Sequence, residues 1–408
     1  MSTDGHRTVI ATDDPRVRRT RQLAGALHKC ARLRGLKNGR GRDVRRVLHV
    51  TPCLFGPDGI VGGGERAAYG LARAVAREVP TTLVSFGAER ASERHGELRI
   101  EIYPSAGDLG GQPFDPLSYR FLAQLRDVDV VHCHQYRIAV SQLAILAGAA
   151  LGKRTFATDR GGVGVHFDPD TPVERCLTAL LPISRFSQSV LPKGVPSRVI
   201  YGGATESFLL TEVGPRPNPD SHARALFVGR IMRHKGIDVL IQGLPDGIGL
   251  DVVGHVYDEE YLALLRTLAA DRDVRFVHDA TDEQLAHVYH DALVTVLPSV
   301  YRDAFGGRWE MPELLGNVLL ESMACGTPVI CSDVGGMPEI VEDGLTGFVV
   351  APNDPAALRM RIAEIAGSPA LRAEMGRSAR ERVLERFTWE RAARQTVTAY
   401  RDDSFSTG

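Results

Sequence analysis

Hydrophobic residues follow two alternating patterns along this 408-residue chain. Short apolar runs rich in β-branched residues, such as VLHV from position 47 and VTVL from position 294, predict buried strands. Longer stretches with apolar positions three and four residues apart, such as residues 65–78 and 139–151, predict helices. Strand alternating with helix is typical of a parallel sheet with helices on both faces. The pattern therefore predicts an α/β protein with doubly wound parallel sheets.

The predicted strands fall into two groups. In the first group the apolar runs begin at positions 47, 81, 98, 128 and 153. The second group begins at position 224, after residues 211–222, which are polar and rich in proline, as expected of a hinge. A chain of this length is long enough for two domains of roughly 150–200 residues each. We therefore expect two domains, each with its own core.

Composition narrows the class of protein. The chain is 43% hydrophobic and 24% charged, which is ordinary for a globular protein. No apolar run approaches the ~18 residues that a membrane span needs, and the N-terminus lacks the apolar segment of a secretory signal. The six cysteines, at 30, 53, 133, 176, 325 and 331, are scattered, and we expect them to be reduced and mostly buried. These features predict a cytoplasmic protein.

The N-terminal segment, residues 1–46, differs from the rest in charge. It contains thirteen Lys and Arg against four Asp and Glu, while the formal net charge of the whole chain is −1. Its weakly helical stretch, residues 21–37, either packs along the body of the protein or lies on an anionic membrane at the inner face. We expect a loosely docked extension that is dispensable for chemistry. Nucleic acid is excluded as a partner because no aromatic residues interleave with the arginines.

The stretch 313–348 carries the strongest candidate chemistry. The Gly316-Asn317 turn predicts a helix that begins near Asn317, so that Glu313 lies before the helix and Glu321 inside its first turns. The amides of residues 316–318 (Gly316, Asn317 and Val318) then have no partner inside the helix. A helix start of this kind suits a phosphate, and carboxylates suit hydroxyl groups. A nucleotide sugar carries both.

The same stretch resembles the donor-binding signature of the retaining glycosyltransferases of family four. That signature has two glutamates separated by seven residues, then Ala-Met-Ala-x-Gly-x-Pro-Val, then Gly-Gly-x-x-Glu. The chain departs from it at Ser322, which stands where alanine is usual. The matching residues are Glu313, Glu321, Gly335, Gly336 and Glu339.

The resemblance implies the glycosyltransferase-B fold, in which two Rossmann-like doubly wound parallel-sheet domains face a cleft. We place the N-terminal, acceptor-side domain at residues 47–205 and the C-terminal, nucleotide-sugar domain at residues 206–385. The last segment, residues 386–408, resembles the helix that crosses back to the first domain in this fold. Residues 1–46 form the basic extension.

The resemblance also implies roles in the donor site. Arg230 and Lys235 match the family's Gly-Arg-x-x-x-x-Lys-Gly element, whose two cations bind the donor diphosphate. Fixed cations at this position stabilise the negative charge that grows on the leaving phosphate. Glu313 would bind the sugar hydroxyls and Glu321 the ribose hydroxyls, while the amides of 316–318 would bind a phosphate oxygen.

In the first domain, the loop before residue 65 is rich in glycine but lacks the dinucleotide pattern Gly-x-Gly-x-x-Gly, which argues against a dehydrogenase. By the resemblance, Gly62 and Gly63 would face the donor phosphates. His132 and His134 end a predicted strand. We expect strand alternation to point their rings to opposite faces, which argues against a metal site. His134 resembles the family's sugar-contacting histidine, and His132 is expected to be a core residue.

Other residues complete the candidate site. Arg160 and His166 follow the next strand and are candidates for acceptor binding. The Asp127-x-Asp129 pair precedes its strand, so we expect no metal at the diphosphate. We also expect no cofactor.

The sequence thus predicts a retaining, metal-independent glycosyltransferase that moves a hexose from a nucleotide-diphosphate sugar, with UDP favoured over GDP. The acceptor, a small molecule or a glycan, stays open. The alternatives are a nucleotide-sugar epimerase or a phosphorylase on the same fold, and a non-catalytic subunit that binds nucleotide sugar. An epimerase would need further acid and base groups, and a phosphorylase of the pyridoxal type would need a Schiff-base lysine.

Overall fold

The computed structural model describes residues 9–33, 44–52, 63–109, 115–159, 172–210, 223–278 and 281–406. These residues form two compact units. The first unit takes in the described residues up to Ile183, the segment Gln188–Gly202 and the described residues from Trp389 onward. The second unit takes in Ser184–Ser187 and the described residues of Gly203–Thr388. The C-terminal helix therefore belongs to the first unit.

Strands are found in both units. In chain order they are β1 (Val9–Ile10), β2 (Val47–Val50), β3 (Thr81–Gly87), β4 (Ala91–His95), β5 (Leu98–Pro104), β6 (Asp108–Leu109), β7 (Val130–His134), β8 (Arg154–Thr158), β9 (Ala179–Leu180), β10 (Arg224–Val228), β11 (Gly249–Val253), β12 (Val274–Val277), β13 (Val294–Leu297), β14 (Val329–Ser332) and β15 (Gly347–Val350).

The α-helices are α1 (Pro15–Leu33), α2 (Gly63–Ala76), α3 (Ala139–Ala150), α4 (Arg185–Ser189), α5 (Glu206–Leu210), α6 (Ile237–Gln242), α7 (Glu259–Leu268), α8 (Asp282–Asp291), α9 (Asn317–Ala324), α10 (Met337–Ile340), α11 (Pro355–Gly367), α12 (Pro369–Arg386) and α13 (Trp389–Arg401). Short 3-10 helices span Arg120–Asp127, Val173–Cys176, Arg233–Lys235 and Asp403–Ser406.

The first unit is built on a seven-stranded sheet with the order β4-β5-β3-β2-β7-β8-β9. All neighbours in this sheet are parallel except β4, which pairs antiparallel with β5. The central strand β2 is wholly buried, because helices cover a doubly wound sheet on both faces. Strand order reverses between β2 and β7, and ligands of such sheets bind where the order reverses.

The second unit is built on a six-stranded, wholly parallel sheet with the order β12-β11-β10-β13-β14-β15. This is the strand order of a Rossmann fold. Its reversal lies between β10 and β13, which pair with Leu226 opposite Thr295. The prediction of two Rossmann-like parallel-sheet domains is therefore confirmed, and the loops after β10 and β13 are the expected place for a ligand.

The C-terminal helix α13 packs on α2 within the first unit. Trp389 lies against Gly70, where an added Cβ would come within 2.7 Å of the indole ring. Glycine at position 70 therefore makes room for this tryptophan. At the other end of the helix, the buried Tyr400 reaches the polar residues of β2 and β7.

Two elements differ from the sequence prediction. Strand β4 has the sequence ASERH and is largely exposed, so it has no apolar alternation to reveal it. Helix α1 packs on α3, and the residues that it buries are Val17, Thr20, Ala24 and Ala31. Of the two placements considered for the basic extension, the structure thus shows packing of α1 on the first unit. The expectation that this segment is loosely docked was wrong for α1, because its small residues recur at helical spacing and form a buried face.

Of the cysteines in the described ranges, Cys133, Cys176, Cys325 and Cys331 are buried and free, and Cys30 is free and exposed. Burial raises the pKa of the Cys176 thiol to about 11. Among the described helices, none is long and apolar enough to cross a bilayer.

Replacing Ala24 by aspartate should destabilise the protein strongly, because Ala24 is 1% exposed and the new carboxylate would be buried against α3. We expect a loss of roughly 3 kcal/mol or more in the free energy of unfolding. Ala26, on the exposed face of the same helix, is the matched control, and A26D should cost less than about 1 kcal/mol. Chemical denaturation measures both. Equal stability of A24D and A26D would contradict the packing of α1.

Candidate functional site

The loop after β10 brings a lysine to the reversal point of the second sheet. Gly229 follows the strand with φ 150°, and the 3-10 turn Arg233–Lys235 ends at Gly236 with φ 64°. An added Cβ on Gly236 would lie 2.1 Å from the carbonyl oxygen of Pro298. Only glycine fits both this backbone angle and this close approach. The loop after β10 is therefore held against the loop after β13.

Lys235 forms an ion pair with Glu313 at this point. The Lys235 ammonium donates a short hydrogen bond to Oε1 of Glu313, and each side chain is only 11% exposed. Ser299, two residues after β13, donates to the same oxygen at 3.1 Å. The pair thus joins residues that are far apart in the sequence but adjacent at the ends of β10 and β13.

Burial and the neighbouring lysine have opposite effects on the pKa of Glu313. Burial by itself raises the pKa of this carboxyl, but the positive charge and hydrogen bond of Lys235 outweigh burial and hold the pKa below its ordinary value. The hydrogen bond from Ser299 acts in the same direction. Glu313 is therefore ionised at neutral pH, and the pair presents a fixed cation beside a fixed anion.

His234, next to the lysine, is a buried residue that the sequence did not single out. It is 5% exposed, and its ring lies 4.6 Å from the ring of Trp309. Burial, with the positive charge of Lys235 adding to it, lowers the pKa of His234 to about 4. The imidazole is therefore neutral at physiological pH and packs beside the ion pair without adding a charge.

The predicted partner of Lys235 lies in a different environment. Arg230 is exposed, and its guanidinium lies 5.6 Å from the ring centroid of Tyr257. Among the described residues, no hydrogen bond or ion pair joins Arg230 to Lys235 or Glu313. The structure thus keeps Arg230 in the same loop as Lys235 but outside the ion-pair network.

The second glutamate lies on α9, which begins at Asn317 as the sequence predicts. Glu321 is 8% exposed and accepts a hydrogen bond of 2.8 Å from the hydroxyl of Tyr289 on α8. Gly316 precedes the helix with φ 95°, and the amides of the first turn, including those of Asn317 and Val318, have no acceptor one turn earlier in the helix. The sequence did not indicate that Tyr289 contacts Glu321, because the tyrosine lies on a separate helix.

The Gly-Gly-x-x-Glu element has a structural role. A Cβ on Gly335 would lie 1.8 Å from the carbonyl oxygen of Glu313, and the amide of Gly336 donates to that oxygen at 3.2 Å. The carboxylate of Glu339 accepts from the amides of Arg185 and Phe186, each at 2.8 Å. The two glycines therefore fix the backbone that carries Glu313.

In the first unit, His134 and His132 lie in a buried polar network. Thr158 bonds to His132, His132 to Tyr400, Tyr400 to His49, and His49 to His134, with distances of 2.8, 2.5, 3.1 and 3.0 Å. His134 is 1% exposed and His132 is fully buried. Both ring nitrogens of His132 and Nε2 of His134 take part in the network. The described residues hold no cluster of three or more side chains arranged as a metal site.

The expectation that His132 and His134 point to opposite faces was wrong. Their rings stack with centroids 4.9 Å apart. Successive residues of a strand point to opposite faces, so two residues that are two positions apart point to the same face. The expectation for this pair overlooked that spacing. The role of His134 in contacting a sugar stays a prediction.

The remaining predicted residues divide between described and undescribed parts of the chain. Gly63 is the exposed first residue of α2. Gly62, Arg160 and His166 lie outside the described residues.

Comparison with known proteins assigns the class. The family described as Glycosyl transferases group 1 matches residues 214–382, and the family described as Glycosyltransferase Family 4 matches residues 61–204. Together these two matches cover most of both units. The chain belongs to the family 4 glycosyltransferases.

Individual relatives match part of the chain. The alpha-maltose-1-phosphate synthase of Mycobacterium tuberculosis is 34% identical over 230 residues, which are 52% of this chain and 56% of the relative. The D-inositol 3-phosphate glycosyltransferase of Streptomyces avermitilis is 36% identical over 196 residues, 43% of this chain and 39% of the relative. The aligned region thus spans about half or less of each of these relatives.

Solved structures share the fold. HepE from Anabaena, solved in complex with UDP, superimposes with a TM-score of 0.64 and 15% identity over 87% of this chain and 98% of that one. At this identity the likeness shows the fold alone. It confirms the predicted glycosyltransferase-B fold.

Replacing Gly335 by alanine should disrupt the site, because the new Cβ would overlap the carbonyl oxygen of Glu313. Gly344 is the matched control: it also has a positive φ, 77°, but has nothing within 4 Å of the added Cβ. We expect G344A to cost about 1–2 kcal/mol from backbone strain alone. G335A should cost several kcal/mol, or keep its stability only by displacing Glu313. Thermal unfolding and glycosyl transfer measure the two effects. Equal stability and equal activity of the two variants would contradict the close contact.

Proposed function

We propose that this chain transfers a hexose from a nucleotide-diphosphate sugar, with UDP as the favoured nucleotide, and retains the configuration at the anomeric carbon. The observation that carries the proposal is the nearly buried Lys235–Glu313 ion pair at the reversal point of a Rossmann sheet. Ligands of such sheets bind at this point. The complexes of HepE with UDP and with UDP-glucose support the choice of donor.

In this proposal the Lys235 ammonium binds the donor diphosphate. The charge on the leaving phosphate grows as the bond to the sugar breaks, so a fixed cation is most favourable in the transition state. Glu313, held ionised by Lys235, accepts hydrogen bonds from the sugar hydroxyls. Arg230 contributes a second cation from the exposed side of the loop.

The helix α9 supplies the nucleotide contacts. Glu321, oriented by Tyr289, accepts from the ribose hydroxyls, and the amides at 316–318 bind a phosphate oxygen. The roles that the resemblance implies for His134, Gly62 and Gly63 in donor binding, and for Arg160 and His166 in acceptor binding, stay predictions.

The leaving phosphate itself takes the proton of the acceptor hydroxyl on the same face of the sugar, so the mechanism requires neither a protein base nor a metal. Turnover that continues in EDTA would agree with this proposal, and turnover that stops in EDTA and returns with Mn²⁺ would contradict it.

Two alternatives remain: a nucleotide-sugar epimerase and a non-catalytic nucleotide-sugar-binding subunit. Release of UDP only in the presence of an acceptor, with formation of a new glycoside, separates transfer from both.

We also propose that the exposed face of α1 touches anionic membranes. Arginine and lysine residues occupy this face, opposite the buried one; they are Arg18, Arg19, Arg21, Lys29 and Arg32. Basic faces of this kind bind anionic lipids. The protein should sediment with vesicles that contain phosphatidylserine and not with neutral vesicles at ~0.1 M salt. Equal sedimentation with both would contradict the proposal.

Replacing Lys235 by alanine should lower turnover by about 10²–10³, the usual effect of losing one transition-state donor. UDP affinity should fall much less. Glu321→Gln should instead raise the Michaelis constant, because a ribose contact is equal in the ground and transition states. Steady-state kinetics and calorimetric UDP binding measure both. The control is Lys193→Ala, which removes an exposed lysine of the other unit.

Because Lys235→Ala leaves the Glu313 carboxylate without its cation, thermal unfolding must show that the variant is folded. A folded Lys235→Ala variant that turns over like the parent would rule out the proposed role of Lys235.

A further inference from the structure

Between Ser299 and Glu313 the chain forms a short hairpin, residues 301–309, that carries two arginines. Arg302 and Arg308 are directly opposite each other in an antiparallel bridge. The amide of Trp309 donates to the carbonyl oxygen of Tyr301 at 2.9 Å and closes the hairpin. Residues opposite each other in an antiparallel pair place their side chains on the same face. The two arginines therefore leave the hairpin side by side.

The 301–309 hairpin is fixed from inside by Asp303. Its carboxylate, 7% exposed, accepts from the amides of Phe305 and Gly307 at 2.9 Å each and from the indole of Trp309 at 2.7 Å. Burial alone raises the pKa of Asp303, but these hydrogen bonds prevail and hold the pKa below its ordinary value. Asp303 is thus ionised, and its oxygens point into the hairpin.

Contacts from outside hold the 301–309 hairpin beside the candidate donor site. The ring of Trp309 lies against His234, the neighbour of Lys235. The hydroxyl of Tyr301 accepts from the amide of Gly335, which lies close against the carbonyl oxygen of Glu313. The guanidinium of Arg233 lies 3.9 Å from the ring centroid of Phe305 at the tip. The hairpin is therefore an ordered part of the site.

Arg302 and Arg308 differ from several other arginines of the second unit in that they lack an ion-pair partner within the described ranges. Both are exposed, and within the described ranges neither forms an ion pair. By contrast, acidic partners are present for Arg224, Arg233 and Arg382. Of the acidic side chains near them in the chain, Asp303 and Glu313 are committed to other donors. The exposed Glu310 forms no ion pair with either arginine within the described ranges. Like charges directly opposite each other in a sheet are unfavourable without a counter-charge.

We propose that Arg302 and Arg308 bind a phosphate monoester and, resting on the proposed function, that this phosphate belongs to the acceptor substrate. Two guanidinium groups offer planar pairs of donors that match phosphate oxygens, and their two charges balance a phosphate dianion. The hairpin leads directly into Glu313, which we place at the donor sugar. A phosphate held here would position a phosphorylated acceptor beside the transferred sugar.

Calorimetric titration with inorganic phosphate tests the anion site. The full chain is titrated at constant ionic strength with excess UDP present to fill the donor site. We expect R302Q/R308Q to bind phosphate at least about tenfold more weakly than the parent, the effect of losing charge-assisted hydrogen bonds. The control R377Q/R386Q removes two exposed arginines from α12 and should bind like the parent. Absence of phosphate binding by the parent, or equal binding by all three proteins, would overturn the proposal.

Acceptor-dependent release of UDP from UDP-glucose tests the assignment to the acceptor. A panel of sugar phosphates should stimulate release by the parent and by R377Q/R386Q more than the corresponding free sugars do, and R302Q/R308Q should lose this preference. Equal stimulation by phosphorylated and free sugars would overturn the assignment. If the parent releases no UDP from any nucleotide sugar, with or without acceptor, the proposed function fails, while the phosphate titration still decides whether the hairpin binds an anion.

Discussion

The second unit depends on an ion pair between Lys235 and Glu313 at the reversal point of its sheet. Strands β10 and β13 are neighbours there, and the loops that follow them bring the two residues together although 78 positions separate them in the sequence. Taking two charges out of water is costly, so a buried ion pair adds little to stability by itself. Its position where ligands of Rossmann sheets bind suggests that the pair is kept for function.

Glycines make this ion pair possible. Gly236 allows the lysine loop to meet the backbone at Pro298, and Gly335 allows the loop after β14 to meet the backbone at Glu313. Each approach is closer than any side chain permits. The glycines of the family signature therefore act through backbone contacts that fix Glu313, and the charges of the site are positioned before any ligand arrives. Preorganised charge of this kind is the main source of electrostatic stabilisation in enzymes.

Much of the fold was predictable because its signals are local. The buried strands, the helix start at Asn317 and the glycine turns all follow from short patterns, and both sheets have the expected parallel architecture. Contacts between distant segments were not predictable. Ser299 and Tyr289 orient the two glutamates from other elements and carry no signal of their own. Loose docking of α1 was preferred to close packing because small residues dominate its buried face, where larger apolar residues usually give the helical period.

The proposed mechanism requires that the Lys235 ammonium bind the donor diphosphate. The chain has only five lysines, so ¹⁵N-lysine labelling gives five ammonium groups, and Lys235→Arg assigns the one in question. Titration with UDP, followed by NMR of these groups, is the most direct measurement. We predict that the Lys235 signal shifts with UDP while those of the other four lysines, at positions 29, 37, 153 and 193, stay unchanged. UDP binding that leaves the Lys235 signal unmoved would contradict it.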